Sequence, residues 1–250
     1  MRIRVAHHYP TYLNIYADRG NIAVLSRRAA ARDHNLVVTD VGLGDPFEPG
    51  TADLVYVGGG QDREQQLVAP DIASRSEAIR EAVAGGAVLL AVCGGYQLLG
   101  RGYRGRDGSL MPGAGLFPHE TIAGDTRMIG DVLLYCELEP GVHHTLAGFE
   151  NHAGRTLLDP GARPLGRVVA WFGNDGLSGF EGCVLGTAIG TYLHGPLLPR
   201  NPWLADWLLS RAVAHASGSG VEPLAPLEDD LERSAHAVSA ARARERGGRR

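Results

Sequence analysis

VLLAVCGGYQLLG, residues 88–100, divides into three parts. Residues 88–92 are an unbroken apolar run, Cys93-Gly94-Gly95 interrupts it, and residues 96–99 read as the first turn of a helix. A continuous apolar run bounded by glycine suits a strand buried on both faces, the kind found in parallel sheets. The stretch therefore predicts a central strand whose carboxyl end carries Cys93 on a tight turn into a helix. Open α/β sheets place their ligands at that end of the strands. A nucleophile on a strand–turn–helix elbow uses the same geometry, with glycines permitting close backbone approach. Cys93 is thus a candidate nucleophile, set against the plainer reading of a small buried hydrophobe.

The flanking sequence supports a parallel sheet. A β signal surrounds Ile3 and Val5; NIAVLSRRAAARDHN (21–35) has helical spacing with Ile22, Leu25 and Ala29 on one face. LVVTDVGLG (36–44) and ADLVYVGGG (52–60) read as strands, and IASRSEAIREAVAGG (72–86) as one helix with a glycine stop. Strands alternating with helices imply βαβ units. The fold class expected is α/β, a mainly parallel open sheet flanked by helices, with a C-terminal helical extension. After Gly100 the character changes. RGYRGRDGSLMPGAGLF is turn-rich, and GDVLLYCELEPG, TLAGFENHAGRTLL and RPLGRVVAWFGN read as shorter β segments and loops. A last strand, a loop and an amphipathic helix follow in residues 184–216. Residues 1–215 are read as one domain and 216–250 as an extension, with a helix in EDDLERSAHAVSAARARERG and a solvated basic tail over the last dozen residues.

Composition narrows the function. The net charge of −4 gives no basic surface, so nucleic acid is not the expected partner. Cys93, Cys136 and Cys183 are widely spaced, form no Cys-x-x-Cys pair, and with no signal peptide argue for a reducing, cytoplasmic setting. No apolar run reaches transmembrane length, so direct membrane insertion is not expected. All 24 Lys+Arg residues are arginine, so a Gly-x-x-x-x-Gly-Lys-Ser/Thr nucleotide loop does not occur. The other histidines show no metal-ligand spacing, and no metal site is expected.

A cysteine nucleophile needs a general base. His194, in GTAIGTYLHGPLLP, follows an apolar strand and so is placed at a second strand's carboxyl end, from which it can meet Cys93. In YVGGGQDREQ, backbone N–H groups near Gly59 and Gly60, with that of Gly94, suit an oxyanion. Cys136 and Cys183 lie in apparent strands without elbows and read as packing residues.

Taken together, LNIYADRGNI, GGGQDREQ, VCGGYQLLG, GFENHAGRT and GTYLHGPLLPRNP resemble the class I glutamine amidotransferases of the cobyric acid synthase (CobB/CobQ) type. Within them, the chain looks like the GatD-type glutaminase subunits of lipid II isoglutaminyl synthase. The resemblance covers most of the chain, from about His7 to Leu209. It implies that Cys93 attacks the carboxamide of L-glutamine, His194 moves the proton, and amides at Gly60 and Gly94 hold the oxyanion. It also implies that Arg127, in GDTRMIGD, binds the substrate α-carboxylate, with Gln97 near the substrate amide. The wider class carries His-x-Glu where this chain has His194-Gly195-Pro196, so the site lacks that orienting acid and a partner is expected to complete it. The implied partner is a MurT-type, Mur-ligase-like subunit. ATP and magnesium chemistry on lipid II would belong to that partner, and this chain would carry no cofactor. Competing readings are a glutaminase for another synthetase such as a cobyrinic acid amidase, a non-catalytic subunit of the same fold, and a cysteine hydrolase acting on peptides.

Overall fold

In the computed structural model, residues 1–15 and 19–247 are described. Tyr16, Ala17 and Asp18 of the LNIYADRGNI stretch lie outside the described residues, as do 248–250. The first half runs β1 (Arg2–His8), α1 (Arg19–Ala30), β2 (Asn35–Val41), β3 (Leu54–Val57), α2 (Asp62–Ser74), α3 (Ser76–Ala84), β4 (Val88–Val92) and α4 (Gly94–Leu98). The second half runs β5 (Gly102–Arg104), β6 (Leu110–Pro112), β7 (His119–Glu139), β8 (Val142–Leu158), β9 (Gly166–Ala170), β10 (Phe180–Glu181), β11 (Cys183–Leu185), β12 (Ala188–Thr191), α5 (Pro202–Ser217) and α6 (Asp230–Gly247).

The first sheet has the order β2-β1-β3-β4-β12-β11, parallel throughout except for β11. β3 and β4, LVYV and VLLAV, are buried at every residue. That is why both read as continuous apolar runs: each has a covered face on either side. Thr191 pairs with Val92, so the ends of β4 and β12 lie side by side, and the residues that follow each strand leave the sheet at the same edge. The single helix expected over 72–86 is instead two, broken at Arg75. The buried Arg75 side chain fixes the break: it pairs with Asp71 at 2.6 Å, donates to the Gly42 carbonyl at 2.7 Å, and lies over the Tyr9 ring.

The second sheet, β10-β9-β7-β5-β6 with β8 on β7, is the larger departure from the sequence expectation. The short segments expected after Gly100 are parts of one long antiparallel hairpin of 21 and 17 residues, β7 and β8. Register shifts between Ala123 and Met128, and again between Cys136 and Glu139, interrupt the alternation that marks a strand in sequence.

The helix expected in 228–247 forms as α6, and the last dozen residues, expected as a solvated tail, belong to it as far as Gly247. Ala240 and Ala243 are buried against Leu133, Ala147 and Ala170, and Trp171 Nε1 donates to the Ala243 carbonyl at 3.2 Å. At the other end of α6, His236 Nδ1 faces the Arg200 carbonyl at 3.0 Å, which fixes the proton on that nitrogen. Its Nε2 lies 2.8 Å from the Thr145 hydroxyl. The helix therefore joins the hairpin to the segment that follows His194. No helix among the described residues is long and apolar enough to cross a membrane.

Candidate active site

Cys93 sits at φ 50°, ψ −105°, where L residues are rarely found, in the turn from β4 into α4. Its N–H donates to the Thr191 carbonyl at 2.7 Å, its carbonyl accepts from Gln97 N–H at 3.0 Å, and Gly95 N–H donates to Gly58 O at 3.0 Å. A Cβ on Gly95 would stand 2.6 Å from the Val57 carbonyl, and one on Gly94 would stand 2.8 Å from the Gly60 amide nitrogen. Only glycine lets the elbow and the loop after β3 lie this close.

A cavity of about 540 Å³ opens at Cys93. Gly60, Asp62, Gln97, Arg127 and His152 are on its wall. The structure thus gathers Cys93, Gly60, Gln97 and Arg127 in one chamber, whose wall includes neither Gly94 nor His194. Arg127 reaches it from the irregular part of β7, its Nε donating to Asn151 Oδ1 at 2.9 Å and Nη2 to the Asn151 carbonyl at 3.1 Å. The guanidinium is therefore aimed before any ligand arrives. Gln97 Nε2 donates to Tyr192 OH at 3.0 Å, and that hydroxyl lies 2.6 Å from Thr156 Oγ1.

His194 is fully buried just beyond β12. Its N–H donates to the Phe149 carbonyl at 2.8 Å and its carbonyl accepts from Phe149 N–H at 3.2 Å, an isolated antiparallel bridge to β8. Burial pushes its imidazole down to about 3, and the charges of His152 and Arg127, both on the cavity wall, act in the same direction. The ring is neutral at neutral pH, the form in which one nitrogen accepts a proton. Cys136 and Cys183 are buried, and burial pushes both thiols up to about 12, so neither competes as a nucleophile. Among the described residues, no group of three His, Cys, Asp or Glu side chains is arranged to hold a metal ion.

Asn151 and His152, also on the chamber wall, had no role from the sequence alone. Asn151 holds Arg127, and His152 lies flat on the Tyr192 ring with centroids 3.5 Å apart. His152 Nδ1 stands 2.8 Å from the Gly154 carbonyl, and Nε2 stands 3.6 Å from Glu150 Oε2. Both belong to GFENHAGRT, a segment distinctive in sequence but without a spacing that reveals which of its side chains face the cysteine.

The profile of the CobB/CobQ-like glutamine amidotransferase domain matches residues 4–202. The chain belongs to that family. This amidotransferase is 37% identical over 231 residues to the GatD subunit of lipid II isoglutaminyl synthase (glutamine-hydrolyzing) from Streptococcus pneumoniae R6, covering 92% of this chain and 87% of that one. It is 35% identical over 230 residues to the GatD subunit of the same name from Staphylococcus aureus N315, covering 92% and 90%. Among solved structures, PurLQS from Thermotoga maritima aligns with a TM-score of 0.57 at 17% identity, over 85% of this chain and 96% of that one. That likeness concerns the fold of the amidotransferase.

Proposed function

We propose that this chain is the glutaminase subunit of a lipid II isoglutaminyl synthase. Cys93 attacks the side-chain carboxamide of L-glutamine, and His194 takes the thiol proton and delivers it to the departing ammonia. The Gly60 and Gly94 amides carry the negative charge of the tetrahedral intermediate. Water then attacks the thioester, releasing glutamate and restoring the thiol. Arg127 pairs with the substrate α-carboxylate, and Gln97 stands beside the carboxamide. A Mur-ligase-like partner would supply the ATP- and magnesium-dependent activation of the D-glutamate carboxyl on lipid II and receive the ammonia. In this reading residues 1–215 form the glutaminase domain, 216–250 an extension, and the complex works in the cytoplasm.

The observation that carries the reading is the strained Cys93 elbow opening into a chamber with an aimed arginine, in a chain that spans nearly all of two GatD relatives. The test is glutamate release from L-glutamine, by the chain alone and with its ligase partner, beside Cys93→Ala and His194→Ala. Release by the wild type that both substitutions abolish is the expected result. Equal release by Cys93→Ala would overturn the reading.

A further inference from the structure

Glu181, the last residue of β10, is fully buried beside the end of β12. Its carboxyl reaches three consecutive residues, directly or through one hydroxyl. Oε1 accepts from Tyr192 N–H at 2.6 Å. Thr191 Oγ1 donates to the carboxyl, 3.0 Å from Oε2 and 3.2 Å from Oε1. The same hydroxyl accepts from Leu193 N–H at 3.1 Å. Thr191 in turn offers its carbonyl to Cys93 N–H at 2.7 Å. One buried group thereby fixes the acceptor that holds the nucleophile and the backbone leading to His194.

We propose that Glu181 is a positioning residue for the Cys93–His194 pair, acting through Thr191 and Tyr192. The inference rests on the glutaminase reading only in naming that pair as reactive. An isolated buried carboxyl is costly, and an apolar side chain would fill the space without that cost. What an apolar residue cannot do is accept from Tyr192 N–H and orient the Thr191 hydroxyl. Burial pushes the Glu181 carboxyl up to about 8, so it carries its proton at neutral pH and glutamine is a close isostere.

The test compares Glu181→Ala, Glu181→Gln and Thr191→Val in the full chain. The first readout is alkylation of Cys93 by iodoacetamide from about pH 6 to about pH 9, followed by mass spectrometry of the Cys93 peptide. The second is kcat and KM for glutamate release with the ligase partner present. In Glu181→Ala and Thr191→Val we expect Cys93 alkylation at neutral pH to slow about tenfold and kcat to fall at least as much, with KM within about threefold. Glu181→Gln should retain most of both. Wild-type alkylation profiles in Thr191→Val, or in a folded Glu181→Ala that merely melts earlier, would assign Glu181 to stability alone and overturn the proposal. If Glu181→Ala does not fold, Thr191→Val and Glu181→Gln still decide. A wild-type chain that releases no glutamate leaves the alkylation result standing and removes the glutaminase reading alone.

Discussion

The backbone of His194 is hydrogen-bonded in both directions to that of Phe149, at 2.8 and 3.2 Å, so the residue after the parallel sheet is held by a strand of the antiparallel one. The two sheets meet at the proposed base.

Gly148 tests it directly. A Cβ there would stand 2.6, 2.7 and 2.8 Å from Leu193 Cδ2, Cβ and Cγ. The Leu193 Cβ cannot retreat without moving the backbone that leads into His194. Gly148→Ala is expected to lower kcat for glutamine by about 100-fold and leave KM nearly unchanged. Steady-state kinetics with thermal melting checks this; a wild-type kcat would show that the loop absorbs the displacement.

Arg127 is exposed but held by Asn151 before substrate arrives. If it pairs with the α-carboxylate, Arg127→Ala removes about 2–3 kcal/mol of charge-assisted binding, and kcat/KM falls roughly 30- to 150-fold, mainly through KM. Asn151→Ala, which removes the Oδ1 hold on the guanidinium and keeps the backbone one, should produce a smaller rise in KM. A fall confined to kcat would place the arginine elsewhere than on the α-carboxylate.

The elbow predicts an unusual stability order. Glycine in place of alanine ordinarily costs about 0.5–1 kcal/mol. At φ 50°, ψ −105° a side chain carries about 1–3 kcal/mol of strain that glycine relieves. Cys93→Gly should therefore be at least as stable as Cys93→Ala, by urea midpoint, with neither releasing glutamate. A clearly less stable glycine variant would mean that position 93 is not strained in solution.

Four buried groups set opposing pH dependences. His8, His119 and His194 drop from an ordinary 6.5 to about 3, mainly through burial, so the folded state binds fewer protons than the unfolded chain. The stability they support is complete above pH 6.5 and is lost as pH falls towards about 3. Glu181 rises from 4.5 to about 8, again mainly through burial, so its contribution is complete below pH 4.5 and is lost as pH rises through about 8. Urea midpoints measured across this range should fall in acid, and Glu181→Gln should raise the midpoint above pH 8 while leaving the acid limb in place. An unchanged alkaline limb in that variant would show that Glu181 ionises without cost.

The parallel half was readable because its signals are local. VLLAV needs nothing but its own composition to read as a doubly covered strand, and the glycines after Cys93 and before Gln61 mark the two turns in the sequence, although what each approaches lies in another segment. The placement of His194 just beyond β12 was readable for the same reason, from the apolar strand before it. The hairpin was not, because Gly124, Asp125 and Gly130 break its alternation, and the pairing that carries the strand past them comes from β8, on either side of the shift between Ala123 and Met128. His152 and Glu181 act on Tyr192 from 40 and 11 residues away, and no spacing rule links them to Cys93. The break at Arg75 leaves no local sequence signal because it depends on Gly42 and Tyr9, which only the fold brings near.

The docking of α6 sets an order of events during synthesis. The helix covers Leu133, Ala147 and Ala170 and, through His236, ties Thr145 to the segment after His194. A nascent chain that has emerged only as far as residue 229 already has both strand ends and the elbow, yet its hairpin is bare and the segment behind the base lacks its last tether. The Cys93 elbow thus emerges from the ribosome before the helix that steadies the segment after His194.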